Sequence, residues 1–417
     1  MFILKNTVMK FLHTSDWHIG ADLYGRKRYD EFERFLDWLA GFIEEEQVEL
    51  LLVAGDIFHT TTPGNRAQAL YFSFLHRLSS SSCRHVVLTA GNHDSPTFLD
   101  APRELLRHLQ IHVVGESSPD PSDEVLLLEG PDGRPEAVIG AVPYLRDRDI
   151  RTVSAGESPG DKTQKLLDGI ARHYREVCRH AHEVRHAAGG NLPMLVTGHL
   201  FAAGGTTVEG DGVREIYVGS LARVDAGAFP QEIDYLALGH LHCAQRVGGH
   251  EHMRYSGSPL PMGFGEAGRA KSVIVGTTEG RTVTVREHPV PCFQSLERIT
   301  GDLQEITSVV RALQASGSTA WLDIDYTGTL PALSLRHELD ALMETGELEI
   351  LRIRNRHVAD LALGRMGQEE ELVDLGEEEV FRRCLEKREA NEEEYPHLLE
   401  MYREILRDMH EDDSRAE

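Results

Sequence analysis

Leu50-Leu51-Leu52-Val53-Ala54-Gly55-Asp56-Ile57-Phe58-His59 is the stretch on which the fold turns. Its opening run is apolar without alternation, which reads as a strand buried on both faces, the kind found inside a parallel sheet. Gly55 then lets the backbone approach a neighbour closely and turn. The carboxylate of Asp56 follows at once, where strand hands over to loop. Open α/β sheets place their chemistry at the carboxyl ends of strands. The stretch therefore predicts a layered α/β sandwich and the position of its site.

Four more fragments follow the same plan: Asp16-Trp17-His18, Gly91-Asn92-His93-Asp94 behind Val86-Val87-Leu88-Thr89-Ala90, Gly198-His199 behind 194–197, and Gly239-His240-Leu241-His242 behind 235–238. Asp-x-His, Gly-Asp and Gly-His are each weak alone and Gly91-Asn92-His93-Asp94 is more specific, but it is all of them in this order, each behind an apolar run, that makes the signal strong. Imidazole, carboxylate and amide oxygen make a mixed N/O donor set that suits Mn, Fe or Zn. Asp16 and His18 stand two apart, so extended backbone would project both from one face, and His240 and His242 would repeat that geometry. The set Asp16, His18, Asp56, Asn92, His199, His240 and His242 is too large for one tetrahedral ion. It suits two ions sharing a bridging carboxylate, an arrangement that clamps the attacking and leaving oxygens of an in-line displacement at phosphorus. Asp94 is expected to hydrogen-bond a histidine and fix its tautomer.

Between the motifs, apolar residues recur at helical spacing. Phe32, Phe35, Leu36, Leu39, Phe42 and Ile43 form one stripe, Leu70, Phe74 and Leu78 another, and Leu166, Ile170, Tyr174, Val177, Ala181 and Val184 a long third. Runs at 138–142, 194–197 and 235–238 read as strands buried on both faces. From about residue 296 the texture changes to a small α/β module. It has helix stripes through Leu303–Leu313 and Leu335–Met343, a half-exposed strand at 322–326 and a further strand at 348–353. With 417 residues the chain exceeds what a single core covers. The division expected is an α/β sandwich core carrying the metal motifs over 1–295, a small α/β module over 296–365 and an acidic helical tail over 366–417. Tail residues Leu398, Leu399, Tyr402, Ile405, Leu406 and Met409 present an apolar helix face that wants a partner.

The formal net charge is −25, with 68 carboxylates against 43 Lys and Arg. Much of the excess lies in the tail, so a polyanion such as DNA would be held weakly by this chain alone. Arg26-Lys27-Arg28 and Arg146, Arg148 and Arg151 read as solvated surface, or as basic patches tracking a backbone. Cysteines 83, 178, 243, 292 and 384 are odd in number and lack a Cys-x-x-Cys pair, which fits reduced thiols in a cytoplasmic protein. Cys243 beside His242 reads as packing. His182 and His186, and His250 and His252, read as polar surface, and Asp323 and Asp325 as solvent-facing carboxylates. No apolar run approaches a membrane span. Met9 is an alternative start to Met1.

Read together, the motifs resemble the calcineurin-like metallophosphoesterase superfamily. His13-Thr14-Ser15-Asp16-Trp17-His18-Ile19-Gly20, Asp234 to His242 and Tyr255-Ser256-Gly257-Ser258-Pro259 are similar to the SbcD family of nuclease subunits. The resemblance runs nearly end to end and is most specific over 9–265. Met262-Gly263-Phe264-Gly265-Glu266 departs from that family's usual serine-rich stretch. The resemblance implies one ion held by Asp16, His18, Asp56 and His242, and a second held by Asp56, Asn92, His199 and His240, with manganese the ion the family favours. It implies His93 and His59 as catalytic histidines facing the scissile phosphate. It also implies nuclease action on DNA ends and hairpins, and a capping role for the module at 296–365. The tail would dock on an SbcC-type coiled-coil ATPase in a heterotetramer with two copies of each chain. The implied setting is cytoplasmic and nucleoid-associated, in DNA repair and recombination. A phosphatase for proteins or small molecules is one alternative on this scaffold. Asp56 is followed by Ile-Phe-His, however, where phosphoprotein phosphatases carry a nearby Asp-Arg-Gly, and Asp94 stands where they carry Glu. The other alternative is a non-catalytic DNA-end scaffold.

Overall fold

The computed structural model describes residues 8–151, 157–202, 224–344 and 346–355. The expected tail, and the end of the second module from residue 356, lie outside the described residues. The chain divides into two compact units, residues 1–297 and 298–417.

In chain order the first unit contains β1 (Val8–Thr14), α1 (Tyr29–Glu46), β2 (Leu50–Ala54), α2 (Asn65–Leu78), β3 (His85–Thr89), β4 (Ile111–Val114), β5 (Val125–Glu129), β6 (Pro135–Gly140), α3 (Pro159–Ala187), β7 (Met194–His199), β8 (Tyr235–Gly239), β9 (Gln245–Val247), β10 (His250–Tyr255), β11 (Lys271–Glu279) and β12 (Thr282–Val290). Two sheets of six strands form, in the orders β12-β11-β1-β2-β3-β4 and β9-β10-β8-β7-β6-β5. Strands β1 to β4 run parallel, as do β6, β7, β8 and β10, and hairpin partners close the edges antiparallel.

Alternation within the strands builds the layers. Leu51 and Val53 of β2 pack under α1 and α2 with Phe32, Phe35, Leu39 and Tyr71. Leu50 and Leu52, on the opposite face, meet Ile139, Leu195, Tyr235 and Ala237 of the second sheet. On the far side α3 lays Ile170, Tyr174 and Val177 against Val138, Val196, Leu236 and Leu238. The result is helix, sheet, sheet, helix. Strands with a layer on each side have no solvent face, which is why they read as unbroken apolar runs. The long helix α3 begins with a capping box in which Ser158 and Asp161 satisfy each other's backbone amides.

The second unit is a three-stranded sheet, β13 (Leu296–Gly301), β14 (Trp321–Tyr326) and β15 (Glu349–Asn355), in that order, with α4 (Leu303–Ala315) and α5 (Ala332–Leu342). Its core is Ile306, Val310, Leu322, Ile324, Tyr326, Leu335 and Leu339. Every residue of β14 is buried, which corrects the half-exposed reading. Asp323 is fully buried and accepts hydrogen bonds from Arg298 (3.1 Å), Arg352 (2.8 Å) and Arg354 (3.2 Å). Asp325 is buried as well. These carboxylates are therefore not solvent-facing: arginine pairing offsets the loss of water.

Candidate metal centre

The parallel strands end together, and their loops interlace. Asp16 N donates to Gly55 O (3.0 Å), His18 N to Asp56 O (2.9 Å) and Ile19 N to Ile57 O (2.9 Å). This continues the β1–β2 pairing past the last ladder residue, but through altered backbone. Asp16, His18, Asp56 and His240 have φ of 54°, 48°, 51° and 101°, a region that side-chain-bearing residues seldom occupy. The expected same-face projection from extended backbone is thus corrected. β1 stops at Thr14, and the pairs Asp16–His18 and His240–His242 converge through left-handed turns. Strain of this kind persists only where the surroundings over-determine it.

The turns bring together all the side chains singled out for ion binding. His18 Nε2 lies 3.2 Å from His242 Nε2 and 3.6 Å from Asp56 Oδ2. On its other side, Asp56 Oδ2 is 3.3 Å from His199 Nε2, which is 3.0 Å from Asn92 Oδ1. Asp16 shares one cluster with His18 and His242 and another with Asp56 and His199. The His240 ring centroid lies 5.4 Å from that of His199. Two donors each about 2.0–2.1 Å from one ion, at ordinary coordination angles, stand roughly 2.8–3.4 Å apart. Three of these four separations fall in that band, and His18–Asp56 is slightly wider. The donor set therefore fits divalent cations.

The electrostatics agree. Burial pushes His18 and His240 well below the ordinary imidazole range, leaving them in the neutral form that ligates. Burial, with the like charge of Asp56 adding to it, raises Asp16 to about 7. Burial opposes the charged form of His199, but the Asp56 carboxylate outweighs it and raises the ring to about 9. Burial would likewise lift Asp56, yet His199 beside it holds that carboxyl well below the usual range. Second contacts aim the ligands. Ala54 O accepts from His199 Nδ1 (3.0 Å), Ser15 Oγ donates to Asp16 Oδ2 (2.5 Å), and His240 N donates to Asp16 Oδ1 (2.9 Å).

His93 and His59 reach the same place. His93 N donates to Asp56 Oδ1 (2.8 Å) and His93 Nδ1 to His59 O (2.9 Å). Because a carbonyl only accepts, Nδ1 carries the proton, and Nε2 is the nitrogen left for chemistry. The His59 and His93 rings stack at 5.5 Å, and the His93 ring lies 4.8 Å from that of His18.

Asp94 does not orient a histidine. Its carboxylate accepts from the backbone amides of Ile57 (3.1 Å), Phe58 (2.8 Å) and Gly91 (2.8 Å). It ties the loop after β2 to the loop after β3, so its work is on backbone, which residue spacing does not disclose. Tyr255 is another contributor the residue pattern left unassigned. Its hydroxyl donates to Leu200 O (2.7 Å) and accepts from Ala202 N (2.8 Å), pinning the segment after His199. The available signal was a tyrosine closing a strand directly before the Ser256-Gly257-Ser258 turn, since a tyrosine hydroxyl that becomes buried needs a partner.

The basic patches are only partly surface. Arg28 is buried and bidentate to Glu31, and Arg151 is tied to Asp147 and Glu157 at 2.6 Å each. Arg148 is 72% exposed. Cys243 is half-exposed beside Arg269 rather than packed in a core. Among the described residues no helix is long and apolar enough to cross a membrane.

The calcineurin-like phosphoesterase family model matches residues 9–244, and one described as the type 5 capsule protein repressor C-terminal domain matches residues 292–389. The chain is 36% identical over 401 residues to SbcD of the nuclease SbcCD from Escherichia coli strain K12, covering 95% of this chain and 98% of that one. It is 32% identical to the protein of the same name from Rhodobacter capsulatus, covering 82% and 86% of the two chains. With that of Bacillus subtilis strain 168 it shares 29% identity over 98% and 100%.

Proposed function

We propose that this chain hydrolyses DNA phosphodiesters at a two-cation centre, and the premise is its lineage: it belongs to the calcineurin-like phosphoesterase family and, within it, to the SbcD nucleases. It is a metal-dependent hydrolase of the nuclease type. The observation that carries the proposal is Asp56 Oδ2, placed 3.6 Å from His18 Nε2 on one side and 3.3 Å from His199 Nε2 on the other. A carboxylate so placed is suited to bridging. Asp16, His18, Asp56 and His242 would hold one ion, and Asp56, Asn92, His199 and His240 the second. When bound, the ions supply charge neutralisation at phosphorus and an activated water. Manganese is the ion proposed, and the donor set also admits iron or zinc.

The chain's own groups do the rest. His93 offers Nε2 towards the phosphate, where its protonated form donates to the leaving oxygen and stabilises developing charge. His59, proposed as the second catalytic histidine facing the phosphate, also holds His93 by its carbonyl and stacks along its ring. Asp94 keeps the two loops that carry Asp56 and His93 in register.

The substrates proposed are DNA ends and hairpins, with the module at 296–365 as a cap. The charge of −25 argues that a partner supplies much of the grip on DNA. An SbcC-type ATPase, docked through the tail in a heterotetramer with two copies of each chain, is that partner, and the setting is the cytoplasm at the nucleoid. The test is manganese-dependent cleavage of a hairpin oligonucleotide and of a nitrophenyl phosphodiester, by wild type and His93→Ala, with and without the ATPase. Hairpin cleavage that requires manganese and is lost in a variant still holding both ions supports the proposal. Turnover of the small ester with no cleavage of DNA in any arm refutes it.

A further inference from the structure

Behind the centre lies a buried ion pair that the chemistry above does not use. Glu266 is fully buried and Lys271 is 8% exposed. The Lys271 ammonium pairs with Glu266 Oε1 and donates to Ser258 Oγ (2.9 Å) and to the backbone carbonyl of His242 (3.0 Å). Its three donors are thereby all used. Glu266 is held in turn by Met262 N (2.7 Å) and lies in the stretch that departs from the family's serine-rich pattern. Ser258 N also donates to His242 O (3.1 Å). Gly257 closes the turn at φ 74°, where a Cβ would lie 2.8 Å from His242 O.

Lys271 opens β11 in the first sheet, whereas His242 follows β8 in the second. The ammonium therefore fastens the backbone of one ion ligand to the opposite sheet. A buried ion pair seldom adds stability over apolar residues of the same volume, so stability alone gives little reason to build one here. We infer that Lys271, with Glu266 as its counter-charge, is a positioning residue for His242, selecting the ring direction that brings Nε2 within 3.2 Å of His18 Nε2. It acts on one ion of the two. This inference rests on the ligand reading above, in which His242 serves only the ion shared with Asp16, His18 and Asp56.

Manganese titration of the full chain, resolved into its two binding steps, tests it. Lys271→Met alone would strand the Glu266 charge, so the main variant is the neutral pair Lys271→Met with Glu266→Gln. Its expected behaviour is one manganese bound about 10–100-fold more weakly and the other unchanged, the range typical when a group that aims a ligand is removed. Ser258→Ala keeps the ion pair and removes the hydroxyl, and is expected to weaken the same ion several-fold, so the test survives if the double variant fails to fold. His242→Ala is the control for the ligand reading, and its failure to weaken either ion overturns that reading. If His242→Ala loses one ion while the neutral pair and Ser258→Ala bind both as wild type does, the positioning role is overturned and the ligand reading stands. Equal weakening of both ions by these variants also overturns it, since that is what general loosening would do.

Discussion

Gly91→Ala places one methyl group against the proposed bridging carboxylate while leaving every proposed ligand residue in the chain. An ideal Cβ at residue 91 would lie 2.1 Å from Asp56 Oδ1 and 2.3 Å from Asp56 N, so reaching an ordinary 3.4 Å contact requires about 1.3 Å and 1.1 Å of movement. One of those atoms is backbone, so no rotamer change can relieve the contact. The loops after β2 and β3 must part, which pulls on the hydrogen bonds that Asp94 accepts from the amides of Gly91, Ile57 and Phe58. Overpacking on this scale costs about 1–3 kcal/mol of stability. A misplacement of about 1 Å among reacting groups costs on the order of 100-fold in rate. Rate should therefore suffer well beyond what the stability loss implies, because a folded fraction above about 99% is compatible with a loss of that size. Urea denaturation, manganese titration and hairpin cleavage on the same preparation measure all three. Wild-type ion affinity together with a cleavage rate within about threefold of wild type would refute the reasoning, since it would mean that the packing of residue 91 on Asp56 does not set the site.

His93→Ala should keep both manganese ions and lose about 100- to 10,000-fold in cleavage, the range for a proton donor at the leaving group. Loss of an ion in that variant would mark His93 as a ligand instead. Manganese affinity should rise with pH, because the ion-free site holds protons on Asp16 up to about 7 and on His199 up to about 9, and ligation must displace them. Each displaced proton contributes about tenfold per pH unit below its pKa, and an affinity that stays flat between about pH 6 and 9 contradicts this. In the second unit, Asp323→Asn should cost about 2–3 kcal/mol, below the full value for a broken buried pair because the three arginines are partly in water. Burial works against the Asp323 charge, but Arg352 and its neighbours outweigh it and hold the carboxyl below its usual range. That stability is present above the unfolded carboxylate pKa and fades as pH falls through the lower folded value. Thermal melts of wild type and variant should accordingly converge in acid, and a gap independent of pH speaks against the pairing.

The residue order alone pointed to the layers and to the side chains that converge in the candidate centre. Unbroken apolar runs such as Leu50–Ala54 and Tyr235–Leu238 suit strands covered on both faces, and the carboxylate or imidazole behind each of them marks where the strand hands over to its loop. Covalent succession carries that information, so it survives in one dimension. How the ligands meet does not. Asp16 and His18 are aimed by left-handed turns held by Gly55 O and Asp56 O, partners about forty residues distant. Asp94, read as the partner of a histidine, instead gathers three amides from two loops, and Lys271 takes hold of the His242 carbonyl in the loop beyond a strand of the opposite sheet. Backbone amides and carbonyls are the same at every position, so nothing in a string of side chains names which of them a buried polar group will find. Only the packed sheets decide that, because burial leaves each such group with whatever partner lies within hydrogen-bond reach.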